Sequence, residues 1–239
     1  MNDSPRLSGR TALVTGASRG IGHRVAQALA EEGARVFCLA RSGDLVQELA
    51  RKIGGEALAV DLTDDLATWD ALDRMQESLG APPDIVVNAA GVFGIESCAA
   101  ETVKTFDENI AVNLRGTFVV NRALLPALLE RGRGLIVNVG SVAGRKAFPG
   151  NAAYSASKYG LRGYHEVLLE ELRGTGVRAT LLEPSATDTS LWDRLEPDVD
   201  PTLPNREQML DPEDVAETVL FVATRPDMVR IPLLQIERA

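Results

Sequence analysis

Short apolar runs alternate with longer amphipathic segments along most of this chain, and that alternation limits the folds it can adopt. Each run is four to seven residues long and rich in Val, Leu or Ile. Continuous runs of this kind suit strands that are buried on both faces, so they predict a parallel sheet. The predicted strands are residues 11–15, 35–40, 57–60, 84–88, 135–139 and 177–183, with a last strand near 231–236.

The segments between these runs carry apolar residues at spacings of three and four, which is typical of amphipathic helices; Ile21, Val25 and Leu29 are one series. Strand alternating with helix predicts a Rossmann-type α/β fold, a doubly wound parallel sheet of about seven strands with helices on both faces. The expected strand order begins 3-2-1-4-5-6. Since neither a repeat nor a linker interrupts the chain, residues 1–239 are predicted to form one domain.

Two stretches depart from this rhythm. Residues 102–129 form one long helical pattern with Pro126 inside, and a proline there should kink or break the helix. Residues 184–212 are polar and contain five prolines. Loops this long are often lids or binding loops, so we expect a substrate loop at about 185–210. Leu191 and Trp192 within it either close over a substrate or anchor the loop.

Charge and composition exclude several classes of function. The 239 residues carry a net charge of −9, so we expect no nucleic-acid partner. No apolar run approaches the roughly 20 residues that span a bilayer, and residues 1–10 lack the apolar core of a secretory signal. We therefore expect no membrane contact and a cytoplasmic protein, with Cys38 and Cys98 as free thiols. Two distant histidines and no cysteine cluster predict no metal site.

A glycine-rich turn follows the first predicted strand, where residues 15–22 read TGASRGIG. Gly16, Gly20 and Gly22 permit a tight turn and let backbone N–H groups approach a pyrophosphate, which then faces the positive end of the next helix. A bare turn is the alternative interpretation. The position between a strand and a helix favours nucleotide binding.

A second pattern lies on the helix predicted after residue 150. Tyr154 and Lys158 are four residues apart, so they share one helix face and can reach the same pocket. A nearby cation stabilises tyrosinate and should lower the pKa of the phenol. Tyr154 is therefore a candidate general acid and base near neutral pH.

The TGxxxGIG turn and the YxxxK pair together resemble the short-chain dehydrogenase/reductase family, in its single-domain branch. The resemblance implies that Tyr154 exchanges the proton and that Lys158 tunes it. It also implies that Ser141 polarises the substrate oxygen and that the backbone carbonyl of Asn113 holds a water of the proton relay. A buried Asn113 that braces its helix is the alternative.

The resemblance also implies a set of cofactor contacts. Asp61 would bond the adenine amino group, and Thr189 would contact the nicotinamide end. The family's NNAG segment is NAAG here, with Ala89 in place of the second Asn, and its PG pair is PS at Ser185. The implied cofactor-binding residues are Gly16, Ser18, Arg19, Gly20, Ile21, Gly22, Arg41, Asp61, Leu62, Asn88, Ala89, Gly91, Tyr154, Lys158, Pro184 and Thr189.

The end of the second predicted strand indicates which nicotinamide cofactor is used. An acidic residue there would bond the ribose diol of NAD, but Ala40 occupies that place and Arg41 follows it. Arginine can hold a 2′-phosphate, and Arg19 could approach the same group. NADP(H) is therefore predicted over NAD(H). The alternative is that Arg41 only starts the next helix in solvent.

The leading hypothesis is an NADP-dependent carbonyl reductase or alcohol dehydrogenase for small molecules. One alternative is a 3-oxoacyl-thioester reductase, for which Arg145 and Lys146 would contribute to a patch that binds an acidic carrier. A different class is a noncatalytic NADP-binding regulator. The resemblance implies a homodimer or homotetramer that pairs the helices of Asn113 and Tyr154. His23 is expected at the surface, and His165 in packing or at a subunit interface.

Overall fold

The computed structural model describes residues 5–239. Its strands form one seven-stranded, all-parallel sheet in the order β3-β2-β1-β4-β5-β6-β7, which confirms the predicted fold. Each predicted strand is present, with ends that differ by at most two residues. The strands are β1 Thr11–Thr15, β2 Arg35–Ala40, β3 Glu56–Ala59, β4 Ile85–Asn88, β5 Gly134–Val139, β6 Val177–Pro184 and β7 Leu233–Ile236.

Helices cover both faces of this sheet. They are α1 Gly20–Glu31, α2 Gly43–Ile53, α3 Asp65–Leu79, α4 Val103–Asn109, α5 Thr117–Arg131, α6 Ala152–Glu171 and α7 Pro212–Ala223. Successive β1 residues point to opposite faces: Val14 joins the core under α1, α2 and α7, and Leu13 joins the core under α3, α5 and α6. The sheet is therefore buried on both sides, as the apolar runs predict.

The break expected at Pro126 is wrong. Helix α5 continues through Pro126 to Arg131. Pro126 lies on the exposed side of α5, so water can bond the carbonyl that the missing N–H leaves free, while buried Leu124 and Leu128 hold the helix to the core. The irregularity falls earlier, in a π-helical segment at Ile110–Gly116 that joins α4 to α5. Such segments are frequent at functional sites.

Residues 185–210 form a loop that is closed at its base, and its role toward a substrate stays a prediction. Thr187 and Leu210 form a parallel bridge, and the N–H of Asp188 donates to the carbonyl of Leu210 at 2.8 Å. Two short 3₁₀ turns, Ser190–Leu195 and Arg206–Gln208, lie between these ends. Among residues 5–239, no helix has the length and apolar character that crossing a membrane would require.

Candidate active site

A groove opens at the carboxyl edge of the sheet, where the chain order reverses between β1 and β4. Open α/β sheets bind ligands at such a crevice. The groove is partly open to solvent, and residues that directly follow β1 and β4 line it. Twelve of the residues predicted to bind the cofactor line it: Gly16, Ser18, Arg19, Gly20, Ile21, Gly22, Arg41, Asp61, Leu62, Ala89, Gly91 and Thr189.

The turn between β1 and α1 requires glycine at two of its positions. A Cβ atom on Gly16 would lie 2.6 Å from Cα of Ala90, and one on Gly22 would lie 2.5 Å from the carbonyl oxygen of Gly16. Gly16 also has a φ of +69°, which favours glycine. Helix α1 begins at the groove, and its first turn has no acidic residue. Bare backbone and a positive helix end therefore fit a pyrophosphate.

Two arginines line the groove. Arg19 and Arg41 line it together with Ala40 and Ser42, and neither arginine forms an ion pair within residues 5–239. On the same wall, Oδ1 of Asp61 accepts hydrogen bonds from the backbone N–H and the hydroxyl of Thr63, at 2.9 and 2.8 Å. These bonds lower the pKa of Asp61 below its ordinary value, and nearby Arg41 adds to the effect. The groove therefore offers two arginines and one hydrogen-bonded carboxylate to a bound cofactor.

Asn88 lies behind the groove rather than in its lining. Its buried Nδ2 donates to Oδ1 of Asn121 at 2.8 Å and to Oδ1 of Asn138 at 2.9 Å. Nδ2 of Asn138 lies 3.1 Å from Nδ1 of His165, whose Nε2 lies 3.2 Å from the carbonyl oxygen of Pro232. His165 is thus a packing residue in a buried polar network, and burial lowers its pKa to about 4.

Three of the predicted catalytic residues meet where β5 ends and α6 begins. The hydroxyl of Ser141 lies close enough to that of Tyr154 to act against the rise in the pKa of the phenol. Ser141 Oγ also accepts a hydrogen bond from the N–H of Ala143 at 3.1 Å, which fixes its turn. Nζ of Lys158 donates to the carbonyl of Val139 at 2.9 Å and lies 5.7 Å from the centroid of the Tyr154 ring.

Burial is the main cause of the pKa shifts of Tyr154 and Lys158. The pKa of Tyr154 is raised by burial, and the hydrogen bond with Ser141 opposes that rise without cancelling it. The net shift of the Tyr154 pKa is therefore upward, the opposite of the lowering expected from Lys158. Burial also lowers the pKa of Lys158 to about 8, because its Nζ has a carbonyl partner and no carboxylate partner within residues 5–239.

The side chain of Asn113 braces the site. It is 1% exposed and lies in the π-helical segment. Its Oδ1 accepts from the N–H of Val92 at 2.8 Å, and its Nδ2 donates to the carbonyl of Val92 at 3.0 Å and to Oγ of Ser157 at 2.9 Å. Asn113 therefore joins the segment after β4 to helix α6. The water relay through its own carbonyl stays a prediction.

Two predicted residues belong to the strand and loop beyond Ser141. Pro184 is the last residue of β6 and does not line the groove. Thr189 does line it, and a Cβ atom on Gly20 would lie 3.1 Å from its Cγ2. The side chain of Thr189, near the start of the 185–210 loop, therefore lies close to the glycine-rich turn.

The sequence model of the short chain dehydrogenase family matches residues 10–200, more than half of the chain. This chain belongs to the short-chain dehydrogenase/reductase family. It is accordingly an NAD(P)-dependent oxidoreductase that acts on CH–OH groups. The glycine-lined groove is the part of the structure in which a nicotinamide cofactor fits.

Individual relatives support this assignment over nearly the whole chain. D-threitol dehydrogenase of Mycolicibacterium smegmatis is 34% identical over 92% of this short-chain dehydrogenase and 87% of its own length. Glycine betaine reductase of Emericella nidulans is 36% identical over 97% of this chain, which spans only 19% of that longer protein. A metagenomic short-chain oxidoreductase solved with NADP is 33% identical and covers 98% of this chain and 99% of its own, with a TM-score of 0.83.

Sequence reasoning missed two parts of the site of this short-chain dehydrogenase. The ring of Phe93 lies between those of Tyr154 and Trp192. Oε2 of Glu101 accepts a hydrogen bond from the N–H of Ala153 at 3.0 Å, at the start of α6. Phe93 directly follows the NAAGV segment that lines the groove, and this position is the signal that could have found it. No local pattern marks Glu101, since its partner lies 52 residues away.

Proposed function

We propose that this protein is an NADP-dependent reductase of ketones or aldehydes, or a dehydrogenase of the corresponding secondary or primary alcohols. One observation carries the proposal. Tyr154, with the Ser141 hydroxyl near its own, packs its ring against Phe93, and Val92, the residue before Phe93, lines the glycine-rich groove. A proton donor next to a nicotinamide-sized groove fits carbonyl reduction.

In this reaction Tyr154, Ser141 and Lys158 would each have a separate role. The bound nicotinamide supplies the hydride for the carbonyl carbon. Tyr154 donates the proton of its hydroxyl to the carbonyl oxygen in reduction, and takes it back from the alcohol in oxidation. Ser141 Oγ accepts from the N–H of Ala143, which holds the hydroxyl in place, and its hydrogen would turn from Tyr154 to the substrate oxygen when a substrate binds. Lys158 is charged below its pKa of about 8, and its positive charge favours the tyrosinate that forms in reduction.

The preference for NADP rests on Arg19 and Arg41. The whole chain carries a net charge of −9, yet two arginines without ion-pair partners in residues 5–239 line the groove. No acidic side chain ends β2, where Ala40 lies. A 2′-phosphate would supply the missing anionic partner.

A carrier-bound 3-oxoacyl thioester is the less favoured substrate. Arg145, a residue of the expected carrier patch, is paired with Glu183 and Glu237. The substrate loop, residues 185–210, carries six acidic and two basic side chains, a net charge of −4. An acidic carrier would be repelled by this loop. The substrate is therefore a small free carbonyl or alcohol.

We also propose a cytoplasmic homodimer formed by one domain per chain. Half-exposed apolar side chains on α5 and α6, Phe118, Leu129, Tyr159 and Val167, support pairing of these helices. The two free cysteines, Cys38 and Cys98, support a reducing compartment. Sedimentation velocity at micromolar concentration should give one species of twice the chain mass, and a monomer would overturn the pairing.

The substitution Tyr154→Phe separates an enzyme from a noncatalytic regulator. We expect the variant to bind NADPH within about twofold of wild type and to lose about 10³-fold or more in kcat with any carbonyl substrate. Undiminished turnover in the variant would remove Tyr154 from the chemistry. Absence of turnover in the wild type over a broad panel of ketones and aldehydes, with NADPH bound, would favour the regulator.

A further inference from the structure

Three adjoining aromatic rings lie beside the catalytic hydroxyls, and we call Phe93, Tyr154 and Trp192 the aromatic wall. The ring centroid of Phe93 lies 4.9 Å from that of Tyr154 and 4.8 Å from that of Trp192. None of the three side chains is fully buried. Partly exposed aromatic rings that touch one another beside the groove offer an apolar contact surface to a ligand.

The groove and the aromatic wall share their supporting segments. Leu191 lines the groove, and the next residue, Trp192, contacts Phe93. On the other side Val92 lines the groove, and the next residue is Phe93. Both backbone groups of Val92 are bonded by Asn113. A substrate that reaches Tyr154 from the cofactor side therefore meets the rings of Phe93 and Trp192 as its first neighbours.

One arginine braces the loop that carries Trp192. Arg206 is ion-paired with Asp188 at the base of the loop, and its Nη2 lies 2.8 Å from Oδ1 of Asp193, the residue after Trp192. Its backbone N–H also donates to Oδ1 of Asp198 at 2.8 Å. Three carboxylates from separate parts of the loop thus converge on Arg206, which makes it a positioning residue for Trp192.

We propose that the aromatic wall selects carbonyl substrates with an uncharged aryl or bulky alkyl group, an inference that rests on the proposed function. Phe93 offers no hydrogen bond, so a polyhydroxylated group would leave its hydroxyls without partners against these rings. The net charge of −4 on the loop acts against an anionic group. The substrate class is therefore a neutral, apolar ketone or aldehyde.

The test compares three aldehydes that differ in the group presented to the wall, with NADPH as reductant. They are 4-methylbenzaldehyde, 4-carboxybenzaldehyde and D-glyceraldehyde. We expect wild-type kcat/KM to be at least tenfold higher for the first than for either of the others. Trp192→Ala should lower kcat/KM for 4-methylbenzaldehyde about tenfold, mainly by raising KM. The same variant should change kcat/KM for D-glyceraldehyde by less than about twofold.

Control variants distinguish an effect on the aromatic wall from a general loss of folded, active protein. Trp192→Phe should recover most of the activity on 4-methylbenzaldehyde, and Leu66→Ala, on the exposed face of α3, should leave it unchanged. Arg206→Met should raise KM for the same aldehyde severalfold. Arg194→Met removes a neighbouring exposed arginine that forms no ion pair in residues 5–239, and it should not raise KM.

The outcomes distinguish this inference from the proposed function. Equal kcat/KM for the three aldehydes in wild type, or an equal loss on all three in Trp192→Ala, overturns the substrate class and leaves the reductase standing. Failure of wild type to reduce any of them with either NADPH or NADH counts against the reductase itself, and the inference falls with it. The selective loss described above supports both.

Discussion

Nζ of Lys158 donates a hydrogen bond of 2.9 Å to the carbonyl oxygen of Val139, so the catalytic helix is tied to the last residue of β5. The bond holds a cation 5.7 Å from the centroid of the Tyr154 ring. It also keeps that cation away from water, since Lys158 is 5% exposed. The same arrangement therefore positions the positive charge of Lys158 and, by burying it, disfavours the protonated form.

The buried Lys158 predicts a rise of stability with pH. Its pKa is about 8 in the folded chain, below its ordinary value of 10.5. Between these values the unfolded chain binds more protons, so the free energy of unfolding increases as pH rises through this interval. Urea unfolding at pH 7 to 10 should show a steeper rise for wild type than for Lys158→Met. The exposed control Lys104→Met should follow wild type, and parallel curves for all three would contradict the burial effect.

His165 predicts a loss of stability in acid. Its pKa of about 4 lies below its ordinary value of 6.5 because the imidazole is buried. The unfolded chain therefore binds the proton first, and the free energy of unfolding falls as pH drops from 6.5 toward 4. An NMR titration of the histidine side chains should find one imidazole that stays neutral to about pH 4. A midpoint near 6.5 for His165 would show that burial does not hold its imidazole neutral.

A methyl group added at Gly22 should close the cofactor groove. The Cβ atom of Gly22→Ala would lie 2.5 Å from the carbonyl oxygen of Gly16, and backbone on both sides cannot give way cheaply. We expect NADPH affinity to fall at least tenfold in this variant. Gly163→Ala adds a methyl group to helix α6, where the new Cβ atom would meet no neighbouring atom within 4 Å. This variant should bind NADPH with the affinity of wild type. Equal affinities in the two variants would argue against a close approach of the cofactor at this turn.

The sequence predicted the sheet closely because both of its faces are buried. Runs such as 11–15 and 35–40 coincide with β1 and β2, since an apolar run bounded by polar residues leaves little freedom for its ends. The break at Pro126 was predicted wrongly because the cost of a proline inside a helix depends on whether the carbonyl that it leaves unbonded faces water. The sequence alone does not show that Pro126 lies on the exposed side of α5. The π-helical segment was not predicted at all, since its contacts to Val92 and Ser157 come from other elements.

The site was predictable where motifs are local and not where it depends on burial or on distant loops. Most of the residues of the glycine-rich turn line the groove, because a strand, a turn and a helix define it within a dozen residues. The direction of the Tyr154 pKa shift depends on how deeply the whole fold buries the phenol, which spacing does not reveal. The contact between Phe93 and Trp192 joins two loops that are far apart in sequence.

The most direct test of this account is a calorimetric titration of NADPH and of NADH into wild type, Arg41→Ala and the exposed control Arg51→Ala. The account predicts NADPH affinity at least tenfold higher than NADH affinity in wild type and in Arg51→Ala, with the difference lost in Arg41→Ala. Equal affinities in wild type, or a preference for NADH, would contradict the assignment of Arg41 to a 2′-phosphate. Binding of neither cofactor would contradict the groove as the nicotinamide site.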